Sequence, residues 1–462
     1  MKYLKKFVGD KAFYKMALTV AVPIMIQNGI TNFVSLLDNI MVGRIGTEQM
    51  SGVAIINQLM FVFNISIFGA VSGAGIFGAQ FWGCGKQEGV RHTFRFKWLA
   101  AIILVVLAGL LFAVAGDELI MLYLHGEGND VQLEETLHYA KQYLKVMLWG
   151  LLPFGICQVY TSTMRECGET MLPMKAGIVA VVINMCLNYV LIFGKFGMPQ
   201  LGVVGAAIAT VVSRYVEVVI VITWAHTHKE KQPYIDGIYR SFHIPGNLVG
   251  KILLKGTPLM MNEIMWSVGM AILMQCYSLR GLDAVAGLNI SSTISNLFNV
   301  VYIAMGSAVS IIVGQLLGAG KMEEAKETDT KLIAFSVASC LVMGGLLALV
   351  APLFPLMYNT TDAVRALGTG FIRIVAVCMP LYAFVHCAYF TLRSGGKTVV
   401  TFLFDSVFVW VASIPLAYVL SRFTDIPVIP LYFICQSLEA IKCVIGFILI
   451  KKGVWLQNIV KD

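Results

Sequence analysis

Acidic residues inside apolar segments of membrane-spanning length are the first candidates for chemistry, beginning with Asp38 and Glu263. Asp38 lies in PIMIQNGITNFVSLLDNIMVG, from Pro23 to Gly43, and Glu263 lies in PLMMNEIMWSVGMAILMQ. A carboxylate inside a bilayer is costly unless it is paired, protonated or hydrated. No basic residue is well placed in the sequence at the depth of either acid. We therefore expect both to bind a coupling cation or proton; the alternative is a buried polar anchor between helices.

The segment that contains Asp38 has one polar face. At about 100° per residue, its polar side chains fall within an arc of about 140° on a helical wheel. They are Gln27, Asn28, Thr31, Asn32, Ser35, Asp38 and Asn39. A spanning helix with one wet face is typical of the wall of an aqueous cavity. We therefore place Gln27, Asn28, Thr31 and Ser35 in a substrate cleft.

Other polar side chains within apolar segments could complete this chemistry. Asn184 and Asn188 are four residues apart and share one helical face. They either form interhelical hydrogen bonds or share a cation or proton site with Asp38. His386 ionises near neutral pH and could relay protons, or it could be a satisfied core histidine. The residues predicted to line the rest of the cleft are Asn64, Ser267, Met270, Asn299, Tyr382 and His386.

Composition places the chain in the membrane class. The 462 residues are 58% hydrophobic and 13% charged, with a mean hydropathy of +0.78. Soluble domains carry nearly twice that charge. Positive-inside topology explains the net charge of +8 better than nucleic-acid binding does. The ten cysteines are scattered without a CxxC pair and read as small buried hydrophobes, so we expect neither a disulfide framework nor a structural metal site.

Twelve apolar segments have the length needed to cross a bilayer. They are predicted at 17–42, 50–82, 98–116, 142–163, 175–194, 201–224, 258–279, 284–318, 331–356, 371–391, 399–420 and 428–450. With the N-terminus inside, cytoplasmic segments hold 24 lysines and arginines and outer segments hold 8. This bias predicts a multi-pass protein of the cell membrane with both termini in the cytoplasm.

The second half of the chain repeats the first. At an offset of 235 residues, Pro23 aligns with Pro258, Gly52 with Gly287, Asn64 with Asn299, Gln80 with Gln315, and Gly83 with Gly318. At an offset of 228, RECGET aligns with RSGGKT. Because each half has an even number of helices, the halves share an orientation in the membrane.

This repeat predicts an all-α integral membrane protein with two pseudo-two-fold-related six-helix lobes around a central cleft. The predicted lobes are residues 1–225 and 251–462, joined by a cytoplasmic linker at 226–250. That linker contains His226, His228 and His243, which we interpret as part of a charged connector in preference to a metal site.

Several residues and motifs, taken as a set, resemble those of the multidrug and toxic compound extrusion (MATE) family. They are Pro23, Asp38, MVGRIG, the paired Gly-Lys ends of the second and eighth helices, RECGET with LNYVLIFGKFG, and Glu263. The resemblance extends over both halves. It implies export of organic cations and amphiphiles driven by inward Na⁺ or H⁺, with Asp38 as the ion site of the first lobe and Glu263 as the cation-linked acid of the second. Asn188 and Tyr382 stand where some family members carry aspartates, which leaves one acid in each lobe.

The leading hypothesis is therefore a monomeric antiporter that works by alternating access, exchanging organic cations or amphiphilic drugs for H⁺ or Na⁺. Na⁺ could bind at Asp38 or Glu263, and no cofactor is expected. A lipid or lipid-linked oligosaccharide flippase of the same superfamily is the alternative, although it calls for a more cationic cleft. A channel fits less well because the repeated Pro and Gly suggest rocking helices. A membrane enzyme would need metal ligands or a Ser/His or Cys/His pair at membrane depth, where only His386 is available.

Overall fold

Twelve helices long and apolar enough to cross a membrane make up the computed structural model, which describes residues 6–124 and 130–461. They are α1 Lys11–Gly43, α2 Glu48–Gly83, α3 Gln87–Leu122, α4 Gln132–Glu166, α5 Met171–Phe193, α6 Gly202–Thr227, α7 Gly246–Ser278, α8 Leu282–Gly318, α9 Met322–Val350, α10 Asp362–Ser394, α11 Thr398–Phe423 and α12 Val428–Lys451. The prediction of an all-helical protein with twelve spanning helices is confirmed. Most helices extend past the predicted ends, because helical backbone continues where the apolar run stops.

The chain forms two compact units. The C-terminal unit comprises Met1–Met25, Ala79–Lys86 and Lys251–Asp462, and the N-terminal unit comprises Ile26–Gly78 and Gln87–Gly250. The first turns of α1 bury Ala17, Ala21 and Ile24 in a core that also contains Met305 and Val309. That early part of α1 therefore belongs to the C-terminal unit, whereas its polar part belongs to the N-terminal unit. The predicted lobe boundaries at 225 and 251 stay a prediction.

Two glycines bring the ends of α2 and α8 into main-chain contact within the C-terminal unit. A Cβ atom on Gly83 would overlap the carbonyl group of Gln315, and one on Gly318 would overlap that of Gln80. Both positions therefore require glycine, because any side chain would push the helices apart. The two contacts are related by the offset of 235 residues, so the repeat in the sequence is also a repeat in packing.

A buried ion pair joins α3 to α4 in the N-terminal unit. The Lys97 Nζ lies 2.7 Å from Glu166 Oε1 and 2.6 Å from Oε2, and it also donates to Thr163 Oγ1 at 3.1 Å. The lysine side chain is fully buried. Gly75 and Gly78 of α2 leave the space that the Glu166 carboxylate fills. Removal of either partner alone would leave the other charge unpaired in the core, which is strongly destabilising.

The segment between α6 and α7 is folded onto α3. Arg95 donates to three main-chain carbonyl groups of this segment, those of Gly237, Ile238 and His243, at 3.2, 2.9 and 3.4 Å. Arg91 donates to the carbonyl of Tyr234 at 3.0 Å. Tyr234 is fully buried, and burial raises the pKa of its phenol well above the ordinary value. The predicted linker is thus a docked segment of the N-terminal unit.

Two π-helical stretches interrupt α11. They are Leu403–Val407 and Val409–Ser413. π-Helical turns inside α-helices are frequent at functional sites. Here they place Asp405 beside Asn262 of α7 and Lys442 of α12.

Candidate functional site

Asp38 lies on the polar face of α1, and its carboxylate contacts α5. Its Oδ1 accepts a hydrogen bond of 2.6 Å from Asn188 Nδ2. Asn184 and Asn188 are buried, whereas Asp38 is half-buried. The structure therefore brings together the aspartate and the two amides that the sequence analysis grouped with it.

The hydrogen-bond network decides which way the Asn184 amide points. With its nitrogen toward the carboxylate, it lies 3.2 Å from both oxygens of Asp38, and its own oxygen accepts from Thr210 N–H at 3.3 Å. Amide orientation is assigned from such networks. The buried Oδ1 of Asn188 has no hydrogen-bond partner within the part of the chain that the structure describes. A buried acceptor oxygen of this kind beside a carboxylate suits a small cation or a proton donor.

The remaining polar residues of α1 have separate partners. Gln27 Oε1 accepts a hydrogen bond of 2.6 Å from Arg165 Nη2. Thr31 and Ser35 are exposed and Asn28 is half-buried. Thr31 donates to the Gln27 carbonyl at 2.8 Å, so its hydroxyl is satisfied within its own helix. These residues form a polar strip that continues from the Asp38 site along α1.

A cavity of about 540 Å³ lies within the C-terminal unit. Four residues predicted for the cleft line it: Met270, Asn299, Tyr382 and His386. Ser267 is half-buried but is not among the lining residues. Asn64, the repeat partner of Asn299, lines a separate cavity of about 250 Å³ in the N-terminal unit. These five residues therefore line two separate cavities, one in each unit, whereas the predicted cleft residues of α1 line neither.

Tyr382 and His386 are held in an aromatic wall of the larger cavity. Tyr382 donates to Gln436 Oε1 at 2.7 Å. The His386 ring packs edge-on against Tyr302, with the ring centroids 5.3 Å apart, and also against Phe390. The wall combines apolar faces with a small number of polar atoms, as small-molecule sites in proteins commonly do.

Glu263 lies on α7 next to a network that centres on Asn262. Its Oε1 is 3.5 Å from the hydroxyl of Tyr389, and the charges of Arg393 and Asp405 both act on it. Arg393 thus lies near enough for its charge to act on Glu263, so the expectation that no basic residue is well placed near this acid is wrong. Arg393 follows the tenth apolar segment in the sequence, and α10 continues as helix past it to Ser394. The buried guanidinium lies 5.2 Å from the centre of the Phe390 ring.

The most strongly connected charges in the cavity wall are Asp405 and Lys442. The Lys442 Nζ is 3.0 Å from Asp405 Oδ1 and 3.5 Å from Glu439 Oε1. Asn262 Nδ2 donates to the other oxygen of Asp405 at 3.1 Å. Lys442 and Glu439 are three residues apart on α12, so the sequence spacing itself predicts that they pair. Asp405 was missed, although an acid in the run TFLFDSVFVW was a visible signal.

Within residues 6–124 and 130–461, no three His, Cys, Asp or Glu side chains come together as metal ligands. The linker histidines diverge: His226 hydrogen-bonds to Tyr160 at 3.1 Å, whereas His228 stacks on Trp224. The main-chain carbonyl of His243 accepts from Arg95. The three histidines, which are near one another in the sequence, therefore have separate partners in the structure.

The fold and its sites define a multi-pass membrane transporter. Twelve spanning helices carry buried carboxylates, and a cavity lies among the helices of the C-terminal unit. The MatE family model matches residues 23–190 and 258–419, so the chain belongs to the MatE family. Members of this family are transporters, not enzymes.

Curated relatives match most of the chain at modest identity. "Probable multidrug resistance protein NorM" of Thermotoga maritima is 25% identical over 413 residues, which cover 88% of this chain and 86% of the relative. "Probable multidrug resistance protein YoeA" of Bacillus subtilis is 23% identical over 417 residues, with 88% and 87% covered.

Solved structures share the fold. A multidrug resistance MATE family transporter of the MOP superfamily, in an outward-facing conformation, has a TM-score of 0.85 at 20% identity over 98% of both chains. A MOP superfamily transporter from Pyrococcus furiosus has a TM-score of 0.84 at 20% identity, also over 98% of each chain. At this identity the likeness concerns the fold alone.

Proposed function

We propose that this protein is a secondary antiporter that exports organic cations or amphiphilic drugs in exchange for inward H⁺ or Na⁺. The observation that carries this proposal is the Asp38 site. A carboxylate on a spanning helix accepts hydrogen bonds from the buried amides of Asn184 and Asn188, and the Asn188 oxygen has no partner among the described residues. Membrane-embedded acids mark ion pathways. The multidrug relatives support the class of exported substrate.

The chemistry at Asp38 is charge compensation. Binding of Na⁺ or H⁺ neutralises the carboxylate and engages the free oxygen of Asn188. The loaded and empty sites then differ by one charge, and this difference biases the transporter between its two orientations. One charge that crosses 100 mV supplies about 2.3 kcal/mol, or a concentration ratio of roughly 50-fold.

Electrostatics in the C-terminal unit favour cations over anionic lipid head groups. Two carboxylates of the cavity wall, Asp405 and Glu439, face a single ammonium group, that of Lys442. A flippase would call for a cationic cleft, so this charge balance supports the antiporter over the flippase. For this antiporter we propose a monomer in the plasma membrane with both termini in the cytoplasm.

The test is transport by protein reconstituted in proteoliposomes, with tetraphenylphosphonium as the organic cation. An imposed Na⁺ or proton gradient should drive its movement, and comparison of the two gradients identifies the coupling ion. Asp38→Asn preserves the shape of the side chain and should abolish gradient-driven transport. Thr19→Ala, an exposed position on the same helix, is the matched control. Full gradient-driven transport by Asp38→Asn would overturn the proposal.

A further inference from the structure

Lys442 has an unusual setting for a lysine in a membrane transporter. Its side chain is only 4% exposed, and its Nζ is shared between Asp405 and Glu439. The ammonium also faces two aromatic rings, at 5.7 Å from the centroid of Phe404 and 5.9 Å from that of Phe408. Carboxylates combined with aromatic faces are the means by which proteins recognise ammonium ligands. The structure thus contains a built ammonium site that a residue of the chain already fills.

The carboxylates of this site are positioned independently of the lysine. Asn262 Nδ2 holds Asp405 Oδ2 at 3.1 Å, and Asn262 is itself fixed by Ser406. The main-chain N–H of Ser406 donates to Asn262 Oδ1 at 3.2 Å, and its hydroxyl lies 2.7 Å from the same oxygen. Asn262 and Ser406 are buried. Asp405 would therefore keep its place if the ammonium group were removed.

The charge balance of the site depends on the lysine. Asp405 and Glu439 each contribute a carboxylate, and Lys442 contributes the one ammonium that lies within 4.0 Å of them in the described part of the chain. A buried carboxylate that loses its partner is strongly destabilising. A cation must therefore replace the ammonium, or the carboxylates must be neutralised, when the lysine is shortened.

We propose that Lys442 is a tethered cation that occupies an alkylammonium site of the C-terminal unit, so that this unit takes up no free coupling cation. Ion coupling is then confined to Asp38. This second part rests on the proposed antiport function, whereas the occupied ammonium site does not. The stem of the lysine beyond Cβ, which is three carbons long, defines the ligand class that fits once the side chain is shortened to alanine, and that class is a primary alkylammonium ion.

The test is chemical rescue of Lys442→Ala in detergent-solubilised protein, measured by thermal unfolding. The variant should unfold at a lower temperature than the wild type, and n-propylammonium should raise that temperature in a saturable way. n-Propanol, which supplies the stem without the charge, should not. Lys442→Ala combined with Asp405→Asn should lose the response to the amine, and the wild type should show none. An equal response to propanol, or an undiminished response in the double variant, would overturn the proposal.

A second variant keeps the test decisive if Lys442→Ala does not fold. Lys442→Met retains the volume of the stem and lacks only the ammonium group, so it should be stabilised by the ammonium ion but not by n-propylammonium. A lack of response to the ammonium ion would refute the site. Any thermal stabilisation of the wild type by Na⁺ or by protons should be absent from the Asp38→Asn variant. If that stabilisation survives, the antiport assignment of Asp38 fails, while the amine rescue still stands or falls by itself.

Discussion

Gly83 of α2 and Gln315 of α8 are in direct main-chain contact, and Gly318 and Gln80 repeat this contact with the roles of the two helices exchanged. Each glycine faces the main-chain carbonyl of the other helix. The carboxamide of Gln80 extends the junction: its Nε2 donates to the carbonyl of Ser394 at 2.9 Å. The side chain of one repeat-related residue therefore ties this crossing to α10.

Gly318→Ala should destabilise the C-terminal unit. The added methyl group would overlap the carbonyl of Gln80, and a main-chain group cannot rotate away as a side chain can. Overpacking of this kind costs about 1–3 kcal/mol, so the thermal unfolding temperature in detergent should fall. Gly345→Ala on α9 is the matched control, because a Cβ there meets nothing within 4 Å. Equal stability of the two variants would contradict the close packing.

Lys97→Met should be among the most destabilising substitutions in the N-terminal unit. It leaves the Glu166 carboxylate in the core without its partner, at a cost of about 3–5 kcal/mol. Adding Glu166→Gln should recover part of that loss, because the charge is then absent. A double-mutant cycle on thermal unfolding measures this coupling. Lys141→Met, which breaks an exposed pair with Asp117, should shift stability by about 1 kcal/mol or less.

Arg95→Gln should release the segment between α6 and α7. The substitution removes three hydrogen bonds from a charged group, each worth about 1.5–3 kcal/mol. Limited trypsin digestion at Lys229, Lys231 and Arg240 should therefore become roughly tenfold faster or more. Arg44→Gln, an exposed position outside this segment, provides the control. An unchanged cleavage pattern would show that the segment is held by its buried side chains alone.

Asn188→Ala should weaken ion coupling without removing the acid. It deletes the amide that donates to Asp38 at 2.6 Å and the oxygen without a partner. Loss of one hydrogen bond to a charged group, about 1.5–3 kcal/mol, should raise the half-saturating concentration of the coupling ion roughly tenfold or more. Cys186→Ala, an exposed position on the same helix, should leave that concentration unchanged. Unaltered ion dependence in Asn188→Ala would remove this residue from the site.

The sequence predicted those parts of the molecule that follow from local patterns. Apolar length predicted the spanning helices, and helical spacing placed Asn184 and Asn188 on one face. The repeat also anticipated Gly83 and Gly318, although it could not show that their role is main-chain contact. That role depends on the distance between helices, which is a tertiary property.

The centre of the larger cavity could not be predicted in the same way. Asp405 stands alone in an apolar run, and it meets Lys442 and Asn262 only because α11 packs between α7 and α12 with π-helical turns. No spacing rule gives the partner of a residue on another helix. The docked segment that follows α6 was missed for a similar reason, since its polar sequence resembles that of a free linker. The segment is held through its main-chain carbonyl groups, which accept hydrogen bonds from Arg91 and Arg95. Because every residue has such a carbonyl group, no residue type in the segment indicates this role.

The hydrogen bonds that Arg95 donates to the segment between α6 and α7 also determine where this polypeptide can be divided. Ile244 and Pro245 alone separate His243, the last residue held by that arginine, from the first residue of α7, Gly246. The carbonyl of Pro245 already accepts from Leu248 and Val249 in the first helical turn. Two fragments expressed separately should therefore reassemble best when the break falls after His243, because the contacts of Arg95 and the first turn of α7 are then both left intact.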